Sequence, residues 1–214
     1  MISISHSPNS TWKQIRQSFA YLILPWRWNS WVNGSKVNEL EVAIGEMHGL
    51  SNGIAFSQAR EGLLAILKAL KIKEGDEVLI QGFTCIVLPN AIISAGAKPI
   101  FVDIDKETLS MDTDLIEQKI TSRTKALILQ HSFGFPADIN TVQKICSKHN
   151  ISLIEDCALS LGAKYSGSLT GTFGDFSFFS FGRDKVLSAV SGGMVLTKSD
   201  EMNDKIRQIR DVEN

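Results

Sequence analysis

The chain has 214 residues, of which 43% are hydrophobic and 21% charged, so it is able to bury a core and is not a disordered protein. Lys and Arg total 22 against 23 Asp and Glu, so no overall positive field exists to attract nucleic acid, and any anion site must be built locally. No apolar stretch reaches the roughly 18 residues that span a bilayer, and the N-terminus lacks the order of a signal peptide, which predicts a soluble, cytoplasmic protein.

The N-terminal segment, residues 1–33, differs in composition from the rest of the chain. It holds all four tryptophans, three basic residues and the apolar run from Tyr21 to Leu24. Tryptophan and basic side chains suit the boundary between lipid and water, so one interpretation is an interfacial helix that touches a membrane. We favour the other, an arm packed on a partner subunit or on a further domain, because the apolar pattern is irregular and Pro25 interrupts it.

From residue 34 to residue 214, short apolar runs alternate with amphipathic stretches of helical period, and this alternation is typical of an α/β fold. Parallel strands joined by helical crossovers form an open sheet with helices on both faces. We therefore predict one domain with a mostly parallel, seven-stranded sheet in a three-layer α/β/α arrangement. The predicted strands are Gly53–Ser57, Glu77–Gln81, Pro99–Asp103, Ala126–His131, Ser152–Asp156, Phe176–Phe181 and Gly193–Thr197.

Helices are expected between these strands, among them Ala59–Leu70 and Ile139–His149, each with apolar residues on one face. Asp138 is a candidate N-cap for the second of these helices. The ligand site of such a sheet lies beyond the carboxyl ends of its strands, so functional side chains should directly follow the apolar runs.

Two such positions suggest chemistry. Asp156 ends a buried strand, where a carboxylate needs a partner, and the pyridine nitrogen of pyridoxal phosphate is one, since an adjacent carboxylate keeps that nitrogen protonated. The alternative is an N-cap or turn aspartate. Lys185 lies just beyond the strand Phe176–Phe181, where loss of hydration favours the neutral amine that forms a Schiff base and moves protons. The alternative is a surface lysine in a turn.

A second group of residues suits a phosphate. Ser180 offers a hydroxyl near a strand end, and Gln58 and Ala59 lie where a strand gives way to a helix, whose N-terminal amides and partial positive charge attract anions. Ser57 is an alternative N-cap for that helix. Arg183 either adds a cation or faces water. The three cysteines lack the paired spacing of a zinc or redox motif, so no metal site is expected.

Four segments together resemble the DegT/DnrJ/StrS family of sugar aminotransferases, within the fold-type-I pyridoxal-phosphate enzymes. They are EGDEVLIQGFTCIVLPNAIISAGAKPIFVDID from Glu74, FGFPADI from Phe133, IEDCALSLGAKYSG from Ile154 and GDFSFFSFGRDK ending at Lys185. Each segment is weak alone, but their order and spacing are specific. The resemblance implies that residues 34–214 form the large, cofactor-binding domain of such an enzyme, and that the smaller C-terminal domain of its relatives is absent because the chain is truncated.

The resemblance also implies roles for single residues. Lys185 holds pyridoxal phosphate and shuttles the proton, Asp156 pairs with the pyridine nitrogen, and Ser180 binds the phosphate. Gln58 and Ala59 take the place of the family's usual Gly-Thr, so their backbone amides contact the phosphate without a hydroxyl. The implied reaction transfers an amino group, typically from glutamate, to a nucleotide-linked keto sugar, in cell-surface polysaccharide or related sugar biosynthesis. The implied assembly is a homodimer with the site at its interface.

Two residues depart from the family pattern. Cys85 stands where the family usually stacks an aromatic ring on the cofactor, and Leu159 stands where Gln or His is common near the cofactor's phenolic oxygen. Phe83 replaces the missing ring only if its loop shifts. These departures leave open a second hypothesis, a non-catalytic or regulatory homologue that binds the cofactor.

Overall fold

The computed structural model describes residues 11–28, 35–50 and 53–213. Its helices are α1 (Trp12–Ile23), α2 (Lys36–His48), α3 (Ala59–Ala69), α4 (Val87–Ser94), α5 (Thr113–Lys119), α6 (Ile139–His149) and α7 (Asp200–Glu213), with short 3-10 turns at Pro25–Arg27 and Ser132–Gly134. Its strands are β1 (Ile54–Phe56), β2 (Glu77–Gln81), β3 (Lys98–Val102), β4 (Thr124–Gln130), β5 (Ser152–Asp156), β6 (Lys164–Tyr165), β7 (Ser168–Leu169), β8 (Phe176–Ser180) and β9 (Gly193–Thr197).

Seven of these strands form one sheet in the order β1-β9-β8-β5-β4-β2-β3, and β6 and β7 form a separate two-stranded ribbon. The pairs β2 with β3, β2 with β4, β4 with β5 and β5 with β8 are parallel. Strand β9 runs antiparallel to both of its neighbours, β1 and β8. The predicted mostly parallel, seven-stranded α/β sheet is therefore confirmed.

The sheet is covered on both faces because successive side chains of a strand point in opposite directions. In β2, Val78 and Ile80 pack in one apolar cluster with residues of α3, α4 and α7, and the intervening Leu79 packs with α5 and α6 on the other face. A third cluster joins Ile44 of α2 to Phe179 of β8 and to Met194 and Leu196 of β9. Burial of one such side chain contributes about 1.5–3 kcal/mol, so these clusters hold the strand ends in fixed positions.

The predicted strands agree with the observed ones to within two residues at each end. Three of the seven are reproduced at both bounds, namely β2, β5 and β9. The N-cap prediction for α6 is also confirmed, because the Asp138 carboxylate accepts a hydrogen bond of 3.2 Å from the Thr141 amide. Ser57 does not cap α3. That position belongs to Gln58, and the Ser57 hydroxyl donates instead to the carboxylate of Glu61.

An ion pair network ties the outer helices to β1. The buried Glu41 of α2 accepts hydrogen bonds from Arg207 and Arg210 of α7, at 2.9 and 3.0 Å, and from the Ala55 amide of β1 at 2.7 Å. A second Arg207 nitrogen donates to the Gly53 carbonyl at 2.7 Å. Because β1 leads directly into α3, this network also fixes where the first turn of α3 lies.

Helix α1 covers the described part of the Trp-rich N-terminal segment, whose predicted end at residue 33 lies outside the described residues. The helix ends before Pro25, which occupies the first position of a 3-10 turn. Trp12, Phe19 and Trp26 all expose more than half of their surface. Within residues 11–28, 35–50 and 53–213, no helix is both long and apolar enough to cross a bilayer.

Candidate active site

A cavity of about 350 Å³ opens at the carboxyl ends of β4, β5 and β8, where an open parallel sheet is expected to bind its ligand. Three of the predicted site residues line it together, namely Asp156, Ser180 and Lys185, and so does Ala59 from the first turn of α3. Another cavity, of about 690 Å³, lies at the opposite rim, around the amino ends of β5 and β8. We place the candidate site in the 350 Å³ cavity, because the predicted site residues converge there.

Asp156 is the last residue of β5 and is almost fully buried. One carboxylate oxygen accepts a 2.9 Å hydrogen bond from the Ala158 amide. Burial raises the pKa of Asp156 to about 6, although the Ala158 amide and the charges of His131 and Lys185 act in the opposite direction. A carboxylate held in this way is ready to accept a cation, because a positive charge within hydrogen-bond reach offsets the cost of its burial.

Lys185 lies in the turn that follows β8, and its amide donates to the Gly182 carbonyl at 3.1 Å. Its side chain is 19% exposed, and Nζ lies 3.3 Å from a carboxylate oxygen of Asp184, which itself faces solvent. Lys185 and Asp156 thus line the same cavity.

A third cavity, of about 220 Å³, adjoins the 350 Å³ cavity and shares Ala59, Arg60, Val87 and Ser180 with it. We call the 350 Å³ cavity the larger cavity and the 220 Å³ cavity the smaller cavity. Gln58 lines this smaller cavity but not the larger one. The smaller cavity thus brings together the Ser180 hydroxyl and the first turn of α3, the two features that the sequence predicts for a phosphate. Arg183, which the sequence left as a possible cation, lines neither cavity.

Close backbone packing gives the smaller cavity its shape. Gly193 begins β9 directly against α3, and a Cβ atom there would lie 2.5 Å from the backbone nitrogen of Ala59. Its neighbour Gly192 has φ +141° and forms a bridge with Gln58. Only glycine accepts both demands without strain, so the Gly192-Gly193 pair lets the helix N-terminus meet the sheet.

Apolar side chains form the outer wall of the larger cavity. Phe83 and Phe133 line it with their ring centroids 6.0 Å apart, and Cys85 and Leu159 lie in the same wall. Phe133 has φ +54°, an uncommon conformation for a residue with a side chain, and both rings are more than half exposed. The aromatic surface that Cys85 does not supply is therefore present nearby, on two other residues.

A buried polar network supports the floor of the cavity. The Glu155 carboxylate accepts hydrogen bonds from the amides of Gly171, Phe173 and Gly174, and from Nε2 of His131 at 3.0 Å. Burial alone would raise the pKa of Glu155, but the hydrogen bond and charge of His131 and the two glycine amides lower it below its ordinary value. Nδ1 of His131 lies 3.2 Å from the Ala137 amide nitrogen, so both ring nitrogens have hydrogen-bond partners.

This network also explains a cluster of potential metal ligands. Side-chain atoms of His131, Glu155 and Cys157 lie within 4.8 Å of one another, and all three residues are buried. The lone pairs of the carboxylate are already occupied by hydrogen bonds, and burial raises the pKa of the Cys157 thiol well above its ordinary value. We therefore regard the cluster as structural, since a metal ion needs a thiolate and free carboxylate oxygens.

Three residues of the site escaped the sequence analysis, namely Arg60, His131 and Phe133. Phe133 begins the FGFPADI segment, which was recognised without a role for this side chain, and His131 was predicted only as the last residue of a strand. Arg60 directly follows Ala59, and its positive charge at the N-terminus of a predicted helix is the feature of the sequence that could have identified it. All three line the larger cavity.

A sequence model of the DegT/DnrJ/EryC1/StrS aminotransferase family matches residues 18–213. The chain belongs to this family. A curated relative, named UDP-N-acetyl-3-dehydro-alpha-D-glucosamine 3-aminotransferase, from Acidithiobacillus ferrooxidans, is 38% identical over 182 residues. The match covers 85% of this chain and 49% of the relative, so the chain spans about half the length of the relatives it matches. The family prediction is thereby confirmed.

Solved structures of aminotransferases share the fold. An aminotransferase from Psychrobacter cryohalolentis is 30% identical with a TM-score of 0.87, and the match covers 95% of this chain and 51% of that one. A putative sugar aminotransferase from Streptococcus pneumoniae, solved in its pyridoxal-phosphate form, is 28% identical with a TM-score of 0.77, over 80% of this chain and 49% of that one. These likenesses confirm the predicted aminotransferase fold.

Proposed function

We propose that this chain is the cofactor-binding part of a pyridoxal-phosphate-dependent aminotransferase that acts on a nucleotide-linked keto sugar. The observation that carries the proposal is the single cavity that Asp156, Ser180 and Lys185 line together at the rim of the sheet. Family membership and the sugar nucleotide in the name of the Acidithiobacillus ferrooxidans relative support the reaction class and the substrate class.

The residues present fit pyridoxal phosphate in three respects. The buried Asp156 carboxylate is a suitable partner for the ring nitrogen, because burial raises its pKa to about 6 and a protonated ring nitrogen offsets that burial. The smaller cavity suits the phosphate, since Ser180, Gln58 and Ala59 line it at the first turn of α3. Phe83 and Phe133 offer aromatic surface for the ring at the cavity wall.

When bound, pyridoxal phosphate supplies an aldehyde that reacts with amines and a ring that accepts the electron pair released by the amino donor. We assign Lys185 Nζ two roles, covalent attachment of the cofactor and transfer of a proton to and from the reacting carbon. Its position in the turn after β8 suits both, because Lys185 lines the same cavity as Asp156. We assign the role of amino donor to glutamate.

We also propose that the enzyme acts as a homodimer whose interface covers the cavity mouth. Phe83 and Phe133 line the cavity and are more than half exposed in the single chain, and two further exposed apolar side chains, Ile86 and Phe135, lie within three residues of them in the sequence. Contiguous apolar surface of this kind marks an interaction site. Sedimentation of the chain at several concentrations measures the association directly.

The test of the proposal is a spectroscopic titration with pyridoxal phosphate. We expect a visible absorption band in the wild type, its loss in Lys185→Ala, and no change in the matched control Lys106→Ala, which removes an exposed lysine from a distant turn. Addition of glutamate should then convert the bound cofactor to its amine form, with a shift of the band. A band that survives in Lys185→Ala would refute the assignment of the lysine.

A second candidate function is a cofactor-binding protein without transaminase activity. It is favoured by Cys85 and Leu159, which give the cavity an apolar wall where the family pattern has an aromatic ring and a polar side chain. The glutamate step separates the two functions. An absorption band that forms normally but does not respond to glutamate, in the dimer as well as in the monomer, selects the binding protein.

A further inference from the structure

We infer that Arg60 is the residue that neutralises the phosphate of the cofactor, an inference that rests on the function proposed above. Arg60 is the second residue of α3 and lines both the larger and the smaller cavity. It therefore stands at the junction where the ring compartment, floored by Asp156, meets the compartment assigned to the phosphate.

Charge balance is the first argument. A phosphate monoester carries about −1.5 to −2 charges near neutral pH, and the chain as a whole carries −1. The site must therefore supply its own positive charge, and a helix N-terminus offers only about half of an elementary charge. Among the described residues that line the smaller cavity, Arg60 is the only one with a charged side chain.

The hydrogen-bond inventory of the smaller cavity is the second argument. Of its two hydroxyl groups, Ser191 already donates its proton to the Ser57 carbonyl at 2.7 Å, so it has no proton left for a phosphate. Ser180 thus remains as the hydroxyl donor of the smaller cavity. One hydroxyl and the first turn of α3 leave several phosphate lone pairs without a partner, and a guanidinium group with five N–H donors in a planar fork suits them.

The third argument is that the Arg60 guanidinium has no competing partner. Across residues 11–28, 35–50 and 53–213, no carboxylate lies within 4.0 Å of it, whereas Arg123, Arg207 and Arg210 each form an ion pair. Those three arginines hold the fold together. Arg60 is exposed, lies beside an anion-binding helix terminus, and is free to serve a ligand.

The test compares two forms of the cofactor that differ only in the phosphate, pyridoxal phosphate and pyridoxal. We expect Arg60→Ala to raise the Kd for pyridoxal phosphate roughly 10- to 100-fold, the range for charge-assisted hydrogen bonds, and to leave the Kd for pyridoxal unchanged. Arg60→Lys should give an intermediate Kd, because it keeps the charge and loses the fork. The matched control is Arg183→Ala, an exposed arginine of the turn after β8 that lines neither cavity, and it should bind both compounds like the wild type.

Inorganic phosphate provides a readout that is independent of the Schiff base. It should raise the midpoint of thermal unfolding of the wild type and of Arg183→Ala, but not that of Arg60→Ala, because only a folded site binds it. Equal losses of affinity for pyridoxal phosphate and pyridoxal in Arg60→Ala, or no loss for either, would overturn the inference. So would normal pyridoxal phosphate binding with a weakened response to glutamate, which would assign Arg60 to a substrate carboxylate instead.

The outcomes also separate this inference from the proposed function. If the wild type fails to bind pyridoxal phosphate at all, both are wrong. If the wild type binds it through Lys185 and Arg60→Ala binds it equally well, the proposed function stands and only the role of Arg60 is lost.

Discussion

Replacement of Asp156 by Asn should make the cofactor-free chain more stable, although it removes a residue we assign to the active site. The carboxylate is almost fully buried, and burial raises its pKa from the ordinary 3.8 to about 6. A folded-state pKa above the unfolded one means that ionisation opposes folding. The stability of the wild type therefore falls as the pH rises from about 4 to about 6, and stays at the lower value above that range.

The size of the effect follows from the two pKa values. They differ by about 2 units, and each unit corresponds to 1.36 kcal/mol, so ionisation of Asp156 costs the folded chain about 3 kcal/mol at pH 7.5. Asparagine is neutral at every pH and keeps an oxygen for the Ala158 amide, which now donates to Asp156 at 2.9 Å. We expect Asp156→Asn to recover up to about 3 kcal/mol at pH 7.5 and almost nothing at pH 4.

Urea unfolding of both proteins at pH 4 and pH 7.5 measures this difference. A matched control, Asp204→Asn, removes an exposed carboxylate and should show no pH-dependent gain. Addition of pyridoxal phosphate at pH 7.5 should reverse the order, because the wild type gains a partner for its charge and the variant does not. A variant that is less stable than the wild type at pH 7.5, or a gain that is the same at both pH values, would refute the reasoning.

Three further predictions concern residues around the cavity. Glu155→Gln should lower the free energy of unfolding by about 3 kcal/mol at pH 7, because an amide cannot accept from all four donors. The loss should shrink below pH 4.5, where the wild-type carboxylate gains a proton as the pH falls through its lowered pKa. Urea unfolding at pH 7 and pH 4 measures the loss, and a loss independent of pH would contradict the prediction. Gly193→Ala should lower stability by roughly 1–3 kcal/mol and weaken cofactor binding, because its Cβ would lie 2.5 Å from the backbone of α3. Thermal unfolding and a pyridoxal phosphate titration test this, and an unchanged variant would show that α3 approaches β9 less closely than the structure indicates. Iodoacetamide should modify Cys85 alone, since Cys146 and Cys157 are buried and burial raises the pKa of Cys146 to about 12. Mass spectrometry should find slower labelling of Cys85 when pyridoxal phosphate is present, and equal labelling rates with and without it would place the cofactor away from Cys85.

Periodicity predicted the sheet well for an identifiable physical reason. Strands such as β2 and β5 are buried along almost their whole length, and each has a short apolar centre, residues 78–80 and 153–154, flanked by polar residues that mark its bounds in the sequence. The ribbon of β6 and β7 was not predicted, because two-residue strands carry no periodic signal. The sequence predicted the N-cap correctly at Asp138, where a side chain accepts from an amide three residues ahead, but not at Ser57, whose hydroxyl donates to the Glu61 carboxylate instead.

Some residues of the candidate site could likewise be identified from the sequence, and others could not. Asp156, Ser180 and Lys185 could be identified because each lies at, near or just beyond the end of a predicted strand, and strand ends of a parallel sheet meet at one rim. Phe133 could not, because its loop adopts φ +54° and turns the ring toward Phe83, which lies 50 residues earlier in the chain. The sequence also could not decide whether Arg60 or Arg183 is the cation that binds the phosphate, since both lie close to predicted site residues along the chain.

The sequence by itself determined which family the chain belongs to, where its strands lie and which residues end them, because those features depend on local order and spacing. Only the tertiary structure decided which side chains share a volume. Helix α3 is brought against β9 through Gly193, more than 120 residues away, and that approach places Arg60 beside Ser180 at the rim of the sheet while leaving Arg183 in solvent. Such a juxtaposition depends on the packing of distant elements, which no local pattern of residues encodes.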